Sequence, residues 1–137
     1  MPDQPPRKAR IVLVGHCGPD SYALRSAMSS AVPGAEVVFA PHEQALEEEL
    51  VKADLLLVNR TLDGDFRGAS GVDLIGLLRK TRPEARPRMM LVSNYAEAQA
   101  QAEAAGALPG FGKREMYAAG TRARVRAALG LPADAPS

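Results

Sequence analysis

Apolar residues follow two alternating patterns along this chain, short continuous runs and longer stretches with helical spacing. The runs RIVLV and LLLV are apolar at successive positions, which is typical of strands buried on both faces of a parallel sheet. The helical stretches place apolar residues three or four positions apart, as in the spacing of Leu24, Met28 and Val32. The patterns predict strands at residues 10–14, 36–40, 54–58, 88–92 and 107–112, and helices at residues 20–32, 42–52, 72–81, 96–105 and 115–129.

Local signals support these boundaries unevenly. Asp20 and Ser21 are residue types that cap helix starts, so they are predicted to cap the first helix. The last strand has the least support, because Pro109, Gly110 and Gly112 all disfavour regular strand structure. Strand boundaries near residue 110 are therefore the weakest part of the prediction.

Strands and helices alternate strictly, which indicates a doubly wound α/β fold: a parallel sheet with right-handed crossovers and helices on both faces. In sheets of this type, ligands and chemistry collect beyond the carboxyl ends of the strands. Candidate functional residues are therefore expected in segments 15–20, 41–42, 59–64 and 93–95, and at Lys113.

Composition narrows the class of protein. The 137 residues suffice for one domain, and 46% of them are hydrophobic. The net charge is +1 without a long run of like charges, so we expect neither nucleic-acid binding nor a polybasic membrane patch. A single cysteine, Cys17, excludes an internal disulfide. No signal peptide or membrane span is evident, so a cytoplasmic location is expected.

The two ends differ in composition from the rest of the chain. Residues 1–7 and 131–137 are rich in proline and polar residues, with too little apolar content to repay ordering. We predict disordered tails there and one domain over residues 8–130.

Four segments resemble the receiver domain of two-component response regulators, over residues 8–130. They are DLLLVN at 54–59, GVDLIGLLR at 71–79, MMLVSN at 89–94 and GALPGFGK at 106–113. The resemblance implies a flavodoxin-like, receiver-like three-layer sandwich, with five parallel strands in the order 2-1-3-4-5 and five helices. It also implies an acid pair after strand one, a phospho-accepting aspartate ending strand three, Ser or Thr after strand four, and a lysine ending strand five.

The matching positions of this sequence keep two of these groups and lose three carboxylates. Ser93 falls on the hydroxyl position and Lys113 on the lysine, whereas Gly15 and His16 replace the acid pair and Asn59 replaces the phospho-acceptor. Phosphoryl transfer to a carboxylate needs an anionic nucleophile and a hard divalent cation held by oxygen ligands. We therefore predict a pseudo-receiver that has no catalytic activity, binds no cofactor and is not phosphorylated at Asn59.

Other departures concern the switch that receivers use. Family members carry an aromatic residue three positions before the lysine, which swings inward on phosphorylation, but here that position holds Gly110 and the nearest aromatic is Phe111. Either the strand is re-registered or the switch is absent. Arg114 replaces the proline that usually follows the lysine, so no cis peptide bond is expected there. The long loop between residues 59 and 71 is a candidate contact surface.

Several residues have structural interpretations beside the functional ones. We expect Lys113 to donate to Asn59 or to a backbone carbonyl, and Ser93 to bond at its strand end. Asp63 and Asp65 are candidates for a substitute phospho-acceptor, although a DGD stretch beside glycines is typical of an ordinary turn.

The main alternative is a retained chemical input at the strand rim, through binding of a metal or a small ligand. If strands one and two are neighbours, His16, Cys17 and His42 open at the same edge, where nitrogen and sulfur ligands suit Zn²⁺ or copper and Asp20 completes the set. No HxxxH or CxxC spacing supports a metal site, a lone cysteine after a strand is usually a small buried hydrophobic residue, and His42 suits a helix start.

The resemblance leaves binding as the predicted function. Receivers signal through the face formed by helix four, strand five and helix five, where this chain has Met116, Tyr117, Arg122 and Arg126. We predict a phosphorylation-independent protein-interaction module in bacterial signalling, with a separate protein partner and a homodimer through this face as a candidate assembly.

Overall fold

A computed structural model describes residues 8–66, 68–84 and 87–132. Its strands are β1 (Arg10–Val14), β2 (Glu36–Ala40), β3 (Leu55–Asn59), β4 (Arg88–Val92) and β5 (Leu108–Phe111). Its helices are α1 (Gly18–Ala31), α2 (Glu43–Glu49), α3 (Gly71–Thr81), α4 (Ala96–Ala105) and α5 (Ala119–Ala128), and a short 3₁₀ helix, Lys113–Glu115, precedes α5. The predicted tail at residues 1–7, and residues 133–137 of the predicted tail at 131–137, lie outside the described residues.

The five strands form one parallel sheet in the order β2-β1-β3-β4-β5, so the predicted fold class and strand order are confirmed. The central strands β1 and β3 are in register from Ile11 opposite Leu55 to Val14 opposite Val58. These strands are buried along almost their whole length because helices cover both faces. That burial explains why their sequences read as continuous apolar runs.

Alternate residues of the sheet pack into two separate helix layers. Ile11 and Leu13 face a core shared with α1 and α5, in which Leu24 and Val125 are buried. Val12 and Val14 face the opposite core, which α2, α3 and α4 cover and in which Ile75 is buried. The residue alternation along β1 thus assigns each helix to one face of the sheet.

Helix ends differ from the prediction at several positions. The first helix begins at Gly18 with Cys17 as its N-cap, so Asp20 does not cap it. The second spans Glu43–Glu49 rather than 42–52. The predicted last helix, 115–129, is in fact the 3₁₀ helix followed by α5, and the turn between them leaves Tyr117 exposed. The predicted third strand shifts by one residue to Leu55–Asn59.

The carboxyl-terminal boundary also needs correction. Leu131 packs against the core beside α1 and α5, and the carbonyl of Pro132 accepts a hydrogen bond from Arg126 Nε at 2.8 Å. The folded chain therefore continues at least through Pro132, which lies beyond the predicted boundary at residue 130. Within the described residues, no helix is long and apolar enough to cross a membrane.

The fifth strand is irregular. Met90 pairs with Leu108 and Val92 pairs with Phe111, so two steps along β4 correspond to three along β5. This extra residue is a β-bulge, and it turns the side chains beyond it to the other face. Phe111 consequently points into the core shared with α1 and α5.

Candidate functional site

The positions singled out in the sequence meet at one rim of the sheet. Gly15 follows β1, Asn59 ends β3, Ser93 follows β4 and Lys113 follows β5. The strands are parallel, so their carboxyl ends lie at the same edge. The rim brings the residues together as predicted, but it uses each of them in a structural contact.

Asn59 uses both sides of its carboxamide. Its Nδ2 donates to the carbonyl oxygens of Gly15 at 3.1 Å and Thr61 at 2.7 Å, and its Oδ1 accepts from the backbone N–H of Arg60 at 3.1 Å. Only an amide makes this set of contacts, because a carboxylate at neutral pH has no hydrogen to donate to the two carbonyls. The side chain that replaces the expected phospho-acceptor therefore fastens β3 to the end of β1.

The segment after β3 covers the end of β1. Leu62 lies against Gly15 so closely that a Cβ on Gly15 would stand 2.7 Å from the Cδ2 atom of Leu62, and Gly15 also has a φ of +72°. The carbonyl of Gly15 accepts a second hydrogen bond, from the backbone N–H of Asp63 at 2.8 Å. The position where the resemblance implies an acid thus has no room for a side chain.

The same loop continues over the end of β2. The backbone N–H of Asp65 donates to the carbonyl of Pro41 at 3.2 Å, and the N–H of Glu43 donates to the carbonyl of Asp65 at 3.1 Å. Gly64 has a φ of +111°, and a Cβ there would lie 2.1 Å from the Pro41 carbonyl oxygen. Asp63 and Asp65 therefore flank a tight glycine turn, with both residues exposed to solvent.

His16 is buried behind this rim, with 8% of the residue exposed. Its Nε2 lies 2.9 Å from the carbonyl oxygen of Leu57, so Nε2 carries the hydrogen and donates it. Nδ1 is buried and has no hydrogen-bond partner in the described part of the chain. Burial lowers the pKa of His16 to about 4; the Leu57 carbonyl opposes this shift, Lys113 adds to it and Asp20 opposes it. His16 is accordingly a neutral structural residue near pH 7.

The residues of the metal alternative have separate roles. His16 bonds to Leu57, and His42 caps α2 by accepting a hydrogen bond from the N–H of Ala45 at Nδ1, over 3.1 Å. Cys17 is half-buried at the start of α1. In the part of the chain that the structure describes, no three side chains of the types His, Cys, Asp or Glu are grouped so that they could hold a metal ion. The geometry therefore gives the metal alternative no support.

Lys113 has a partner that the sequence analysis did not anticipate. Its Nζ lies 2.6 Å from Oδ2 of Asp20 on α1, rather than against Asn59 or a backbone carbonyl, so the predicted contact is wrong. The ammonium group lowers the pKa of Asp20, and the thiol of Cys17 contributes in the same direction. About a third of each side chain is exposed. The ion pair joins the first turn of α1 to the end of β5.

Ser93 is buried beside a small open cleft. Its Oγ accepts a hydrogen bond from the N–H of Tyr95 at 3.1 Å, and its own N–H donates to the carbonyl of Phe111 at 2.9 Å. The cleft measures about 260 Å³ and includes Asn59 and Lys113 in its lining. The cleft is thus lined by the Ser93 hydroxyl, the Asn59 amide and the Lys113 ammonium group, the three polar groups that the sequence placed at this rim.

A larger groove of about 800 Å³ lies next to this cleft, between the beginnings of α3 and α4. The guanidinium of Arg60 lies over the ring of Tyr95, with Cζ 4.9 Å from the ring centroid. Glu97 and Gln101 of α4 also line the groove, so charges of both signs face it. Its charge therefore does not select one ligand class.

Gln99 on α4 was not predicted to have a role, and it is half-buried against the sheet. Its Nε2 lies within hydrogen-bonding distance of three carbonyl oxygens, of Leu91 at 2.9 Å, Ser93 at 3.1 Å and Phe111 at 3.3 Å. Its Oε1 accepts from the N–H of Gly110 at 3.2 Å. The combination of a bulge-forming glycine and a glutamine on the preceding helix was the available signal, but the surrounding Ala/Gln stretch concealed it.

The arginines of the predicted interaction face hold the end of α1. Arg122 donates to the carbonyl of Ser30 at 2.8 Å and Arg126 to that of Ala31 at 3.1 Å, where a helix leaves its last carbonyls without internal partners. Met116 is half-buried against the core, whereas Tyr117 is 63% exposed. Of the four residues, Tyr117 offers the most accessible apolar surface.

Comparisons with known proteins show the fold. No protein-family model matches the sequence, and no curated protein matches it. The receiver domain of the stress response regulator RcsB from Escherichia coli is 14% identical, with 91% of this chain and 96% of that chain covered and a TM-score of 0.67. This chain has the fold of response-regulator receiver domains.

Two further structures agree with the receiver fold. A response regulator from Thermotoga maritima is 18% identical over 90% of this chain and 99% of that chain, with a TM-score of 0.67. The RcsB response regulator from Salmonella typhimurium is 15% identical, and 95% of this chain covers 64% of that chain, also with a TM-score of 0.67. At these identities the receiver fold is common to all, and the rim chemistry has to be judged from this chain's own residues.

Proposed function

We propose that this protein is a pseudo-receiver: a binding module of a bacterial signalling pathway that acts without phosphorylation and without catalysis. The observation that carries the proposal is the bonding of Asn59, whose amide hydrogens are both directed at backbone carbonyl oxygens. A phosphoryl acceptor needs an anionic oxygen free to attack, and Asn59 offers a neutral amide with its polar atoms already bonded.

The surroundings of Asn59 support the same proposal. A phosphorylated receiver needs a hard cation with oxygen ligands close to the acceptor. Here Gly15 supplies only a carbonyl that accepts two hydrogen bonds, and Leu62 covers the space beside it. His16 is turned toward Leu57. Lys113, which would stabilise a phosphoryl group, is paired with Asp20 instead.

A titration with Mg²⁺ and beryllofluoride, followed by amide chemical shifts, tests the proposal. We expect no saturable shift at residues 59, 93 or 113, while a receiver domain that keeps its aspartates responds in the same buffers. Saturable shifts centred on Asn59 would overturn the claim that the module is independent of phosphorylation.

We propose a protein, not a nucleic acid, as the partner. The Salmonella RcsB structure concerns interaction with DNA. In this chain the net charge is only +1, and Arg122, Arg124 and Arg126 on α5 are all directed at backbone carbonyls. A helix whose arginines hold its own fold is poorly suited to tracking phosphates. A cytoplasmic location stays a prediction from the sequence.

The proposed contact surface is the face formed by α4, β5 and α5, through which a homodimer is the candidate assembly. Ala96, Ala100 and Ala104 are exposed at successive turns of α4, and small side chains permit close approach. Tyr117 provides an exposed aromatic ring next to α5. These features are compatible with docking by a partner or by a second copy.

Sedimentation velocity over a range of concentrations tests the homodimer. If it forms through this face, Ala100→Arg places a long charged side chain in the contact and should abolish the dimer. Val51→Arg is the matched control, because Val51 is 77% exposed on the α2 side of the molecule. A protein that is monomeric throughout, or a dimer that Ala100→Arg leaves intact, rejects this assembly.

The alternative with a retained chemical input rests on His16, Cys17 and His42, or on phosphorylation at Asp63 or Asp65. The structure assigns both histidines to other hydrogen bonds, and Asp63 and Asp65 stand on opposite sides of a tight turn. Elemental analysis of purified protein beside a His16→Ala, His42→Ala variant addresses the metal part. Metal present in the parent and lost in the variant would favour this alternative over ours.

A further inference from the structure

The carboxamide of Gln99 bonds to both strands at the irregular edge of the sheet. Its NH₂ group faces three carbonyl oxygens. Leu91 lies in β4, Ser93 directly follows β4, and Phe111 is the last residue of β5. Two hydrogens serve three acceptors, so at least one is shared between them. With Oε1 accepting from Gly110, every polar atom of the side chain is used.

The β-bulge in β5 creates the space for this side chain. A Cβ on Gly110 would lie 2.1 Å from the carbonyl oxygen of Leu91 and 2.9 Å from Oε1 of Gln99. No residue with a side chain fits there while the bulge and the carboxamide are in position. The Gln99 carboxamide therefore fits only beside a glycine at residue 110. It bonds to backbone groups of β4 and β5 in the way that a peptide group of a neighbouring strand would.

Gly110 occupies the position at which receiver domains carry the aromatic residue of their switch. The resemblance implies a moving aromatic residue at this position, and in this structure Gly110 faces Gln99 of α4. The nearest aromatic, Phe111, is only 2% exposed and is packed in the core shared with α1 and α5. Its ring cannot move toward α4 without crossing the sheet.

Neighbouring contacts hold the same two segments together. Oδ1 of Asn94 accepts a hydrogen bond from the N–H of Arg114 at 3.2 Å, which joins the loop before α4 to the 3₁₀ helix. The guanidinium of Arg124 donates to the carbonyl of Gly110 at 3.0 Å and so supports the bulge from α5. Gln99 lies at the centre of these contacts.

We propose that Gln99 is a positioning residue that locks residues 93–99 and 108–114 in one arrangement, so that the α4, β5 and α5 face does not switch. The biological meaning of this lock rests on the proposed function, since a module that needs no phosphate needs a permanently formed face. The lock itself requires neither a partner nor phosphate.

Backbone dynamics test the lock. We expect flat ¹⁵N relaxation-dispersion profiles for residues 93–99 and 108–114 in the wild-type protein, and the same in the control Gln101→Glu, which alters an exposed glutamine two positions along α4. Gln99→Glu removes both donors but keeps an acceptor for Gly110, whereas Gln99→Met removes all polar atoms. Both variants should introduce exchange on the microsecond to millisecond timescale in these two segments.

Amide hydrogen exchange separates the two variants. The N–H of Gly110 should exchange about fivefold to tenfold faster in Gln99→Met than in Gln99→Glu, because only glutamate retains the acceptor. If Gln99→Met does not fold, Gln99→Asn, whose carboxamide is one methylene too short, replaces it. Exchange in the wild-type segments, or flat profiles in both folded variants, would overturn the lock. Neither outcome bears on the beryllofluoride result, so the two proposals fail separately.

Discussion

A carboxylate and a carboxamide have nearly the same shape, and the difference at residue 59 lies in their hydrogens. Asn59 donates to two carbonyl oxygens that would face an aspartate as like partial charges. The amide is therefore a structural requirement of this rim.

Asn59→Asp should accordingly destabilise the protein without making it reactive. We expect a loss of about 1–3 kcal/mol, since two acceptors lose their donors and face a negative charge. Urea unfolding measures the loss, and intact-protein mass after treatment with acetyl phosphate measures modification. We expect no added phosphoryl group, because no acid pair stands beside residue 59.

Asn94→Asp is the matched control for this substitution. Oδ1 of Asn94 accepts one backbone hydrogen bond, from Arg114, and an aspartate oxygen still accepts it. We expect a change within about 0.5 kcal/mol. A modified Asn59→Asp protein, or equal losses in the two variants, would contradict the account of this site.

His16 should make the stability depend on pH. Its pKa is about 4 in the folded protein and 6.5 in the unfolded chain, so the unfolded chain takes up the proton first. Stability should be complete above pH 6.5, fall by about 3 kcal/mol as the pH drops toward 4, and change little below that through this group. Urea midpoints across this range measure the effect.

Substitutions at the two histidines assign the effect. His16→Gln keeps a donor for the Leu57 carbonyl and should flatten the profile between pH 6.5 and 4. His42→Asn keeps an acceptor at the α2 cap and should leave the slope in place. If the stability of the wild-type protein does not change between pH 6.5 and 4, protonation of His16 does not destabilise the fold.

At the residue scale, the sequence predicted which positions meet at the rim but not how they bond. Alignment with a family pattern finds Gly15, Asn59, Ser93 and Lys113, since a parallel sheet aligns the ends of its strands. It does not find that Asp20, on a helix 93 positions away in the chain, pairs with Lys113. Side-chain direction decides such contacts, and sequence spacing does not record it.

At the scale of elements, the loop between β3 and α3 acts as a cover for the ends of β1 and β2. The length of this loop predicted a contact surface for other proteins. The structure shows that it contacts its own sheet, through Leu62 on Gly15 and the bonds of Asp63 and Asp65 to Gly15 and Pro41. A contact surface for other proteins on its exposed side stays a prediction.

Gly15→Ala should therefore be costly. The positive φ and the contact with Leu62 together predict a loss of about 2–4 kcal/mol in unfolding free energy. In a Leu62→Ala background the closest contact, with Cδ2, is removed, but those with Cα at 3.1 Å and Cβ at 3.2 Å remain. The same substitution should therefore cost less, about 1–3 kcal/mol, most of it from the strained backbone. Urea unfolding of the four proteins gives both values.

Gly120→Ala provides the control for that series. Gly120 lies in the first turn of α5 with no atoms near the added Cβ, so alanine should be neutral or stabilise by up to about 1 kcal/mol. Equal costs for Gly15→Ala with and without Leu62 would mean that the loop does not press on β1.

The ion pair between Asp20 and Lys113 joins α1 to the end of β5. Because each side chain is about a third exposed, solvent screens the pair, and a double-mutant cycle with Asp20→Asn and Lys113→Gln should give a coupling of only about 0.5–1 kcal/mol. Lys113 lowers the pKa of Asp20, so the coupling should persist near neutral pH and vanish once acid protonates Asp20.

The pair between Glu47 and Arg82 is the comparison, since both side chains are more exposed. Its coupling should be smaller than that of Asp20 and Lys113. A larger value for the exposed pair would show that exposure does not set the strength of these two ion pairs, and a coupling of zero for Asp20 and Lys113 would show that their contact does not stabilise the fold.

Element boundaries were predicted least well where side chains override local propensity. The first helix starts two residues before Asp20, because Asp20 bonds to Lys113 instead of capping. The bulge at Gly110 depends on Gln99, a residue outside the strand. Local sequence contains no direct record of either tertiary contact.

At the scale of the whole molecule, one sheet separates two apolar layers, one beneath α1 and α5 and the other beneath α2, α3 and α4. Every central strand contributes residues to both layers. Neither layer has a sheet of its own to pack on, so the two should lose their structure together.

Unfolding should therefore be a single cooperative transition. Leu24→Ala in one layer and Ile75→Ala in the other should each cost about 2–5 kcal/mol with an unchanged dependence on urea. Their effects should add in the double variant, because the residues lie on opposite faces of the sheet. Two transitions seen by circular dichroism, or a changed urea dependence, would indicate independent layers.

The fold itself was predictable from the sequence because the pattern is strong at this scale. Five apolar runs alternating with helical stretches permit few topologies, and the strand order followed from the family resemblance. The remaining uncertainty concerned β5, whose proline and glycines weaken the strand pattern.

The contact of Leu62 with Gly15 also limits how a phosphorylation site could be engineered into this chain. An acid introduced at residue 15 would first require the loop to move, and an acid introduced at residue 59 would cost two hydrogen bonds. Neither substitution alone is expected to make the rim reactive. A design would therefore have to rebuild the loop between β3 and α3 together with both acid positions.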